Sequence, residues 1–118
     1  MTTTLTGTPA ALLRLDPNDL AKLDGQAIVG CPGVTAKQLW RSDTMVDTLL
    51  SYQPGATTPG HPHPRATHHI WIVDGQADVG GQTLSAGSYV HVPPGVAHPI
   101  TADSATGCVL LHLHRRTA

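Results

Sequence analysis

Turn-forming residues interrupt this chain so often that only strand-length segments fit between them. From residue 31 onward the breaks fall at Cys31-Pro32-Gly33, Arg41-Ser42-Asp43, Gln53-Pro54-Gly55, Asp74-Gly75, Gly80-Gly81, Ala86-Gly87 and Pro93-Pro94-Gly95. Glycine admits positive φ and proline fixes φ, so each cluster stops a regular element and bends or reverses the chain. The runs between them, Val34–Trp40, Met45–Tyr52, His69–Val73, Ala77–Val79, Ser88–Val92, His98–Ala102 and Gly107–His114, have strand composition and leave no room for helices. Asp74-Gly75 lies between two apolar runs and predicts a two-residue hairpin, because both central positions of that turn favour positive φ. Ahead of these runs, Asp16-Pro17-Asn18 leads into Asp19–Leu23, which suits a single helical turn or an edge strand. Many short antiparallel strands without helices predict an all-β sandwich or jelly roll.

A chain of 118 residues holds one domain with one modest core. With no Phe, and only Trp40, Trp71, Tyr52 and Tyr89 as aromatics, that core must be built from Leu, Val, Ile and Ala. The formal charge of −1 is dispersed, with no basic stripe of the kind that neutralises phosphates, so nucleic acid is excluded as an expected partner. No segment approaches a membrane span. Met1–Thr8 lacks the basic start and apolar run of a signal peptide, which makes a cytoplasmic location the expectation. Cys31 and Cys108 have no CxxC spacing and are expected as reduced thiols. All eight acidic residues are Asp, and the chain has no Glu.

Four histidines stand at intervals that suit a metal ion. Residues two apart on a strand share a face, so His61 and His63 project the same way. Pro62 and Pro64 remove two backbone donors beside them, as on an edge or bulged segment, and stiffen the mount. His68 lies five positions past His63, the wrong parity for one continuous strand, so a bend at Pro64–Thr67 is required to return it to the same cavity. His98 follows Pro93-Pro94-Gly95.

These residues resemble the two signature motifs of the cupin superfamily. The first, G-x5-HxH-x3,4-E-x6-G, is matched by Gly55, His61, His63 and Gly75, with His68 at the usual Glu position. The second, G-x5-PxG-x2-H-x3-N, is matched by Gly87, Pro93, Gly95 and His98, with Ala102 in place of Asn. The motifs stand in the family's order and spacing. The resemblance implies a single cupin jelly-roll barrel over residues 16–118, preceded by a flexible segment or exchanged edge strand over 1–15. It further implies that His61, His63, His68 and His98 hold one divalent transition metal, Fe, Mn, Zn, Cu or Ni. Because the chain lacks Glu, no shift of alignment restores a three-His, one-Glu set. Neutral imidazole in place of a carboxylate leaves a divalent ion its full +2 charge, strengthens it as a Lewis acid and disfavours its oxidised state.

On a strand His69 faces opposite to His68, which puts His68 inside and His69 outside or at a dimer contact. In the last run Cys108, Leu110, His112 and His114 share one face, and Val109, Leu111 and Leu113 the other. Periodicity alone turns the leucine face inward, whereas the resemblance allows both faces to be buried. His112 is then a candidate catalytic residue, as proton shuttle or substrate partner at the pocket mouth. Tyr89 and His91 share a strand face, from which one is expected to supply a polar hydrogen to the cavity or to pack in the core. Arg65, in the turn between ligands, is placed to meet an anionic substrate or to remain solvated.

The chain thus looks like the small four-histidine cupins, which include manganese proteins with oxidative activity and zinc-dependent polyketide cyclases. The expected function is a dioxygenase-like oxidoreductase acting on an enol, diketone or phenolic small molecule. The alternatives are a Lewis-acid cyclase, isomerase or lyase, and a non-catalytic metal or small-molecule sensor. The last follows from a resemblance of Gly33–Leu39 and Leu49–Gly55 to the cupin half of zinc-dependent anti-sigma factors of the ChrR type. Small cupins usually pair through their outer sheets, so a homodimer is expected.

Overall fold

The computed structural model describes residues 11–117 and is all-β apart from one helical turn and a half. The helix, α1 (Pro17–Lys22), starts where the sequence marks it: Asp16 caps the backbone N–H of Asp19, and the Asp19 carboxylate accepts from the Asp16 N–H in return. It is otherwise exposed and is tied to the barrel by the Lys37 ammonium, which donates to the Leu20 carbonyl over 2.9 Å. Residues 1–10, most of the predicted N-terminal segment, lie outside the described residues; 11–15 form no regular element.

Nine strands follow among the described residues: β1 (Gln26–Ala27), β2 (Val34–Arg41), β3 (Met45–Tyr52), β4 (Thr57–Thr58), β5 (Ala66–Val79), β6 (Gln82–Ser85), β7 (Tyr89–Val92), β8 (Ile100–Ala102) and β9 (Cys108–Arg116). All pairings are antiparallel. One sheet runs β1-β2-β3-β9-β5-β7, the other β4-β8-β5-β6, and β5 is common to both. The result is a curled jelly-roll half-barrel whose two sheets share a single long strand.

Asp74-Gly75 does not form the predicted hairpin. The strand continues through it, and the register against β9 shifts between Ile72 and Asp74, where one residue of β5 is left without a partner. This bulge reverses the strand's parity. Before it His68, Ile70 and Ile72 face inward; beyond it Ala77 and Val79 do. Gly75 has φ +75° and passes so close to the Gly107 carbonyl that a Cβ would collide with it. Positive φ is spent here on moving the strand from one sheet to the other. The reversal comes instead at Gly80-Gly81, where the Asp78 carboxylate accepts from the Gly81 N–H over 2.9 Å.

The core is aliphatic as composition requires, with Val34, Leu50, Ile70, Ile72, Val79, Val92, Ile100 and Leu110 buried, and Tyr52 as its one buried aromatic. The Tyr52 hydroxyl is bonded to Thr58 at 2.8 Å, which joins β3 to the short β4 on the far wall. Cys31 and Cys108 are both free and buried. On β9 it is Cys108 and Leu110 that face inward, while Val109 and Leu111 are only partly buried. The leucine face predicted by periodicity to be inside is the outer one. His112 and His114, in phase with Leu110, therefore point into the barrel.

Candidate metal centre

Three chain segments bring imidazoles together. The first, between β4 and β5, carries His61 and His63 on an irregular stretch with Pro59, Gly60, Pro62 and Pro64, not on a strand. Both are exposed, and both line an open cavity of about 330 Å³. A turn at Pro64-Arg65, closed by the Ala66 N–H donating to the His63 carbonyl over 3.3 Å, supplies the required bend and sends His68 inward, with 2 % of its surface exposed. The second segment, between β7 and β8, carries His98, which is 8 % exposed. Its backbone N–H donates to the Gly60 carbonyl over 2.8 Å, so the two loops are bonded at the point where their histidines meet. The third is β9, whose His112 and His114 lie opposite Ile70 and His68 of β5 in the antiparallel register.

His68 is the hub. Its ring centroid lies 4.8 Å from those of His63, His112 and His114 and 4.9 Å from that of His98. His63 is 6.1 Å from His98 and 5.9 Å from His114. Donor atoms of His68, His98 and His112 all fall within 4.8 Å of one another, close enough to serve one ion. Of the four histidines predicted as ligands, His63, His68 and His98 are thus in mutual ring contact. His61 shares the cavity lining with His63, His98 and His112 but stands exposed. His112 lines the cavity, and its donor atom lies within 4.8 Å of those of His68 and His98. His114 was not singled out by sequence; its phase with Leu110 and its register opposite His68 are the signals that locate it.

Four of these imidazoles, His68, His98, His112 and His114, are held neutral. Burial pushes the His68 imidazolium down to about 3, with His112, His98, His114 and His63 as like-charged neighbours adding to the effect. Burial likewise brings His112 down to about 4, and lowers His98 and His114. Neutral imidazole is the form that binds metals. The His98 Nδ1 lies 3.3 Å from the Val96 carbonyl; donating there, it leaves Nε2 free to ligate. His68 Nδ1 is buried without a hydrogen-bond partner among the described residues, an orphan that a cation would satisfy. These donors fit a divalent transition metal of the imidazole-binding kind. The remaining cavity wall is largely apolar, with Ile28, Leu50, Tyr52 and Ile100.

His69 points outward, as predicted, and its Nδ1 is bonded to the Tyr89 hydroxyl at 2.6 Å. Tyr89 and His91, expected to serve the cavity or the core, are exposed on this outer face, because β7 pairs with β5 so that Tyr89 and His91 follow Trp71 and His69. Arg65 is exposed in its turn. Ala102, at the motif's Asn position, is buried and contributes its backbone N–H, which donates to the Ala56 carbonyl over 2.8 Å.

Comparison with known proteins agrees with this architecture. The polyketide cyclase RemF from Streptomyces resistomycificus superposes with a TM-score of 0.75 at 18% identity, covering 89% of this chain and 80% of the other. An RmlC-like cupin from Shewanella frigidimarina does so with a TM-score of 0.70 at 24% identity, covering 82% and 86%. Among curated proteins, the rhicadhesin receptor of Pisum sativum is 34% identical over 58 residues, 42% of this chain and 27% of that protein, so the chain spans about a quarter of the length of this relative. No helix among the described residues is long and apolar enough to cross a membrane. The model of the ChrR cupin-like domain matches residues 10–118, and the chain belongs to that family of cupins.

Proposed function

We propose that this protein is a mononuclear metal-dependent enzyme for a small, enolisable or phenolic molecule, a dioxygenase-like oxidoreductase. The observation that carries the proposal is a cluster of histidines, free of carboxylates among the described residues, opening on a largely apolar cavity of about 330 Å³. His61, His63, His68 and His98 would hold the ion, and when bound it would supply a +2 centre able to polarise an enolate oxygen and bring O2 to it. The apolar walls favour a weakly polar substrate. His112 faces the cavity from the sheet opposite the two loops, which places it to exchange a proton with a substrate seated there.

A second reading has the ion act only as a Lewis acid, in cyclisation, isomerisation or lyase chemistry. It is supported by the all-imidazole donor set and by the likeness to a protein described as a polyketide cyclase. Protein loaded separately with Fe(II), Mn(II) and Zn(II) should be tested on β-diketones, enols and catechols, with oxygen uptake and substrate loss followed together. Oxygen consumption matching substrate loss, abolished in His112→Ala at unchanged metal content, is expected. Full turnover of the zinc form under anaerobic conditions would replace oxidation by the Lewis-acid reading. Metal lost from His112→Ala would make His112 a ligand instead of a proton carrier.

A further inference from the structure

A histidine that binds a metal through one ring nitrogen needs an acceptor for the N–H on the other. For His98 that acceptor is the Val96 carbonyl. For His68 the register supplies a different group. His68 on β5 lies directly opposite His114 on β9, both on the inner face, and the two rings meet with Nε2 of His68 2.9 Å from Nδ1 of His114. The other nitrogen of His68, Nδ1, is buried and has no partner among the described residues.

Two proton placements are compatible with that contact. If His114 donates from Nδ1, His68 accepts at Nε2 and carries its own hydrogen on Nδ1, where a buried N–H faces no acceptor. If His68 donates from Nε2, its Nδ1 presents a lone pair. A cation at the centre of the cluster repels the first arrangement and is bound by the second. Resting on the metal-binding function proposed above, we infer that His114 is the positioning residue for His68: it accepts the Nε2–H, fixes the tautomer, and leaves Nδ1 as the atom that binds the ion. The ligand and its support are thereby built into one cross-strand pair, and His114 touches neither metal nor substrate.

The test uses the full chain loaded with Zn(II) or Co(II), together with His114→Ala and His114→Asn, whose amide oxygen replaces the Nδ1 acceptor. In the zinc-loaded wild type, long-range 15N–1H NMR should show His68 protonated at Nε2 and bound through Nδ1. Chelator competition should show His114→Ala binding Zn(II) roughly 10- to 100-fold more weakly, with His114→Asn restoring affinity to within a few-fold. The number of imidazoles around Co(II) at saturation, counted by X-ray absorption, should be the same in all three. Should the alanine variant fail to fold, His114→Phe fills the space without an acceptor and must show the same weakening. Binding of His68 through Nε2, unchanged affinity in His114→Ala, or one imidazole fewer at saturation would each overturn the assignment while leaving the metal centre intact. A wild type that takes up neither ion would sink the metal centre and this inference together.

Discussion

Gly60 offers the sharpest test of how the fold holds the centre, because it lies where the two ligand-bearing loops touch. Its φ is +61°, and a Cβ there would run into the His98 carbonyl and stand 2.7 Å from the Pro99 nitrogen. Backbone atoms cannot rotate aside as a side-chain tip can. Restoring ordinary contact with that carbonyl at about 3.5 Å requires the loops to part by roughly 1.4 Å. The left-handed conformation adds about 1–2 kcal/mol and the forced separation about 1–3 kcal/mol, so Gly60→Ala should destabilise the protein by about 3 kcal/mol. For a domain of this size that lowers Tm by about 10–15 °C. The functional effect should be larger than stability alone implies. Metal–ligand distances tolerate errors of about 0.2 Å, and moving the His61–His63 loop several times that far from His98 should weaken Zn(II) binding by roughly 100-fold at temperatures where the variant is folded. Gly80→Ala is the matched control: φ is +59° and nothing lies within 4 Å of the added carbon, so it should lose about 1 kcal/mol and bind metal normally. Calorimetry and chelator competition on both variants decide the matter. Equal stability and equal metal affinity in the two would refute the view that the Gly60–His98 contact sets the ligand geometry.

Acid should destabilise the chelator-stripped protein before its carboxylates titrate. His68 and His112 are pushed down to about 3 and about 4 in the fold, while the unfolded chain takes up protons near 6.5, so stability is full above that value and falls as pH drops toward 4 and 3. At pH 5 the loss is up to about 2 kcal/mol for each such histidine; urea midpoints that do not fall between pH 7.5 and 5 would contradict it. The outer face of β5 and β7 exposes Trp71 by 38 %, Val73 by 54 % and Tyr89 by 46 %, and a homodimer through this face is our proposal for what covers it. Light scattering should give twice the chain mass for the wild type and a monomer for Trp71→Lys, and a monomeric wild type would refute the pairing.

The loop histidines were legible because their constraint is local. Two residues apart beside prolines, then a bend, then a proline-glycine turn before His98: each interval is a statement about a short backbone path. The strand boundaries of β2 and β3 were legible for the same reason, being fixed by turn residues at both ends. Asp74-Gly75 was misjudged because a type I′ turn and a bulge make the same demand, a residue at positive φ, and only the partner strand decides between them. Gly107, brought against Gly75 by β9, is more than thirty positions away. The inward turn of His112 and His114 was hidden by composition. Leucines alternate with histidines along β9, and hydrophobicity assigns the leucines to the core unless a polar interior is already known to exist.

That polar interior couples stability to metal binding. Keeping His68 and His112 neutral inside the barrel lowers the stability of the folded protein wherever the unfolded chain would be protonated, and the orphaned Nδ1 of His68 adds the cost of an unsatisfied buried group. An aliphatic residue at position 68, like Ile70 and Ile72 on the same face of the same strand, would remove the part of these costs that is due to His68. A bound cation removes them differently, by using the lone pairs that burial has kept unprotonated, and it adds its own binding free energy to folding. Metal should therefore raise Tm more at pH 6 than the same metal at equal saturation does in a His68→Leu variant that retains the other imidazoles. In that variant the apo protein should be the more acid-resistant of the two and the metal-bound protein the weaker binder. If His68→Leu loses acid resistance while keeping full metal affinity, the buried imidazole serves packing alone and the coupling does not exist.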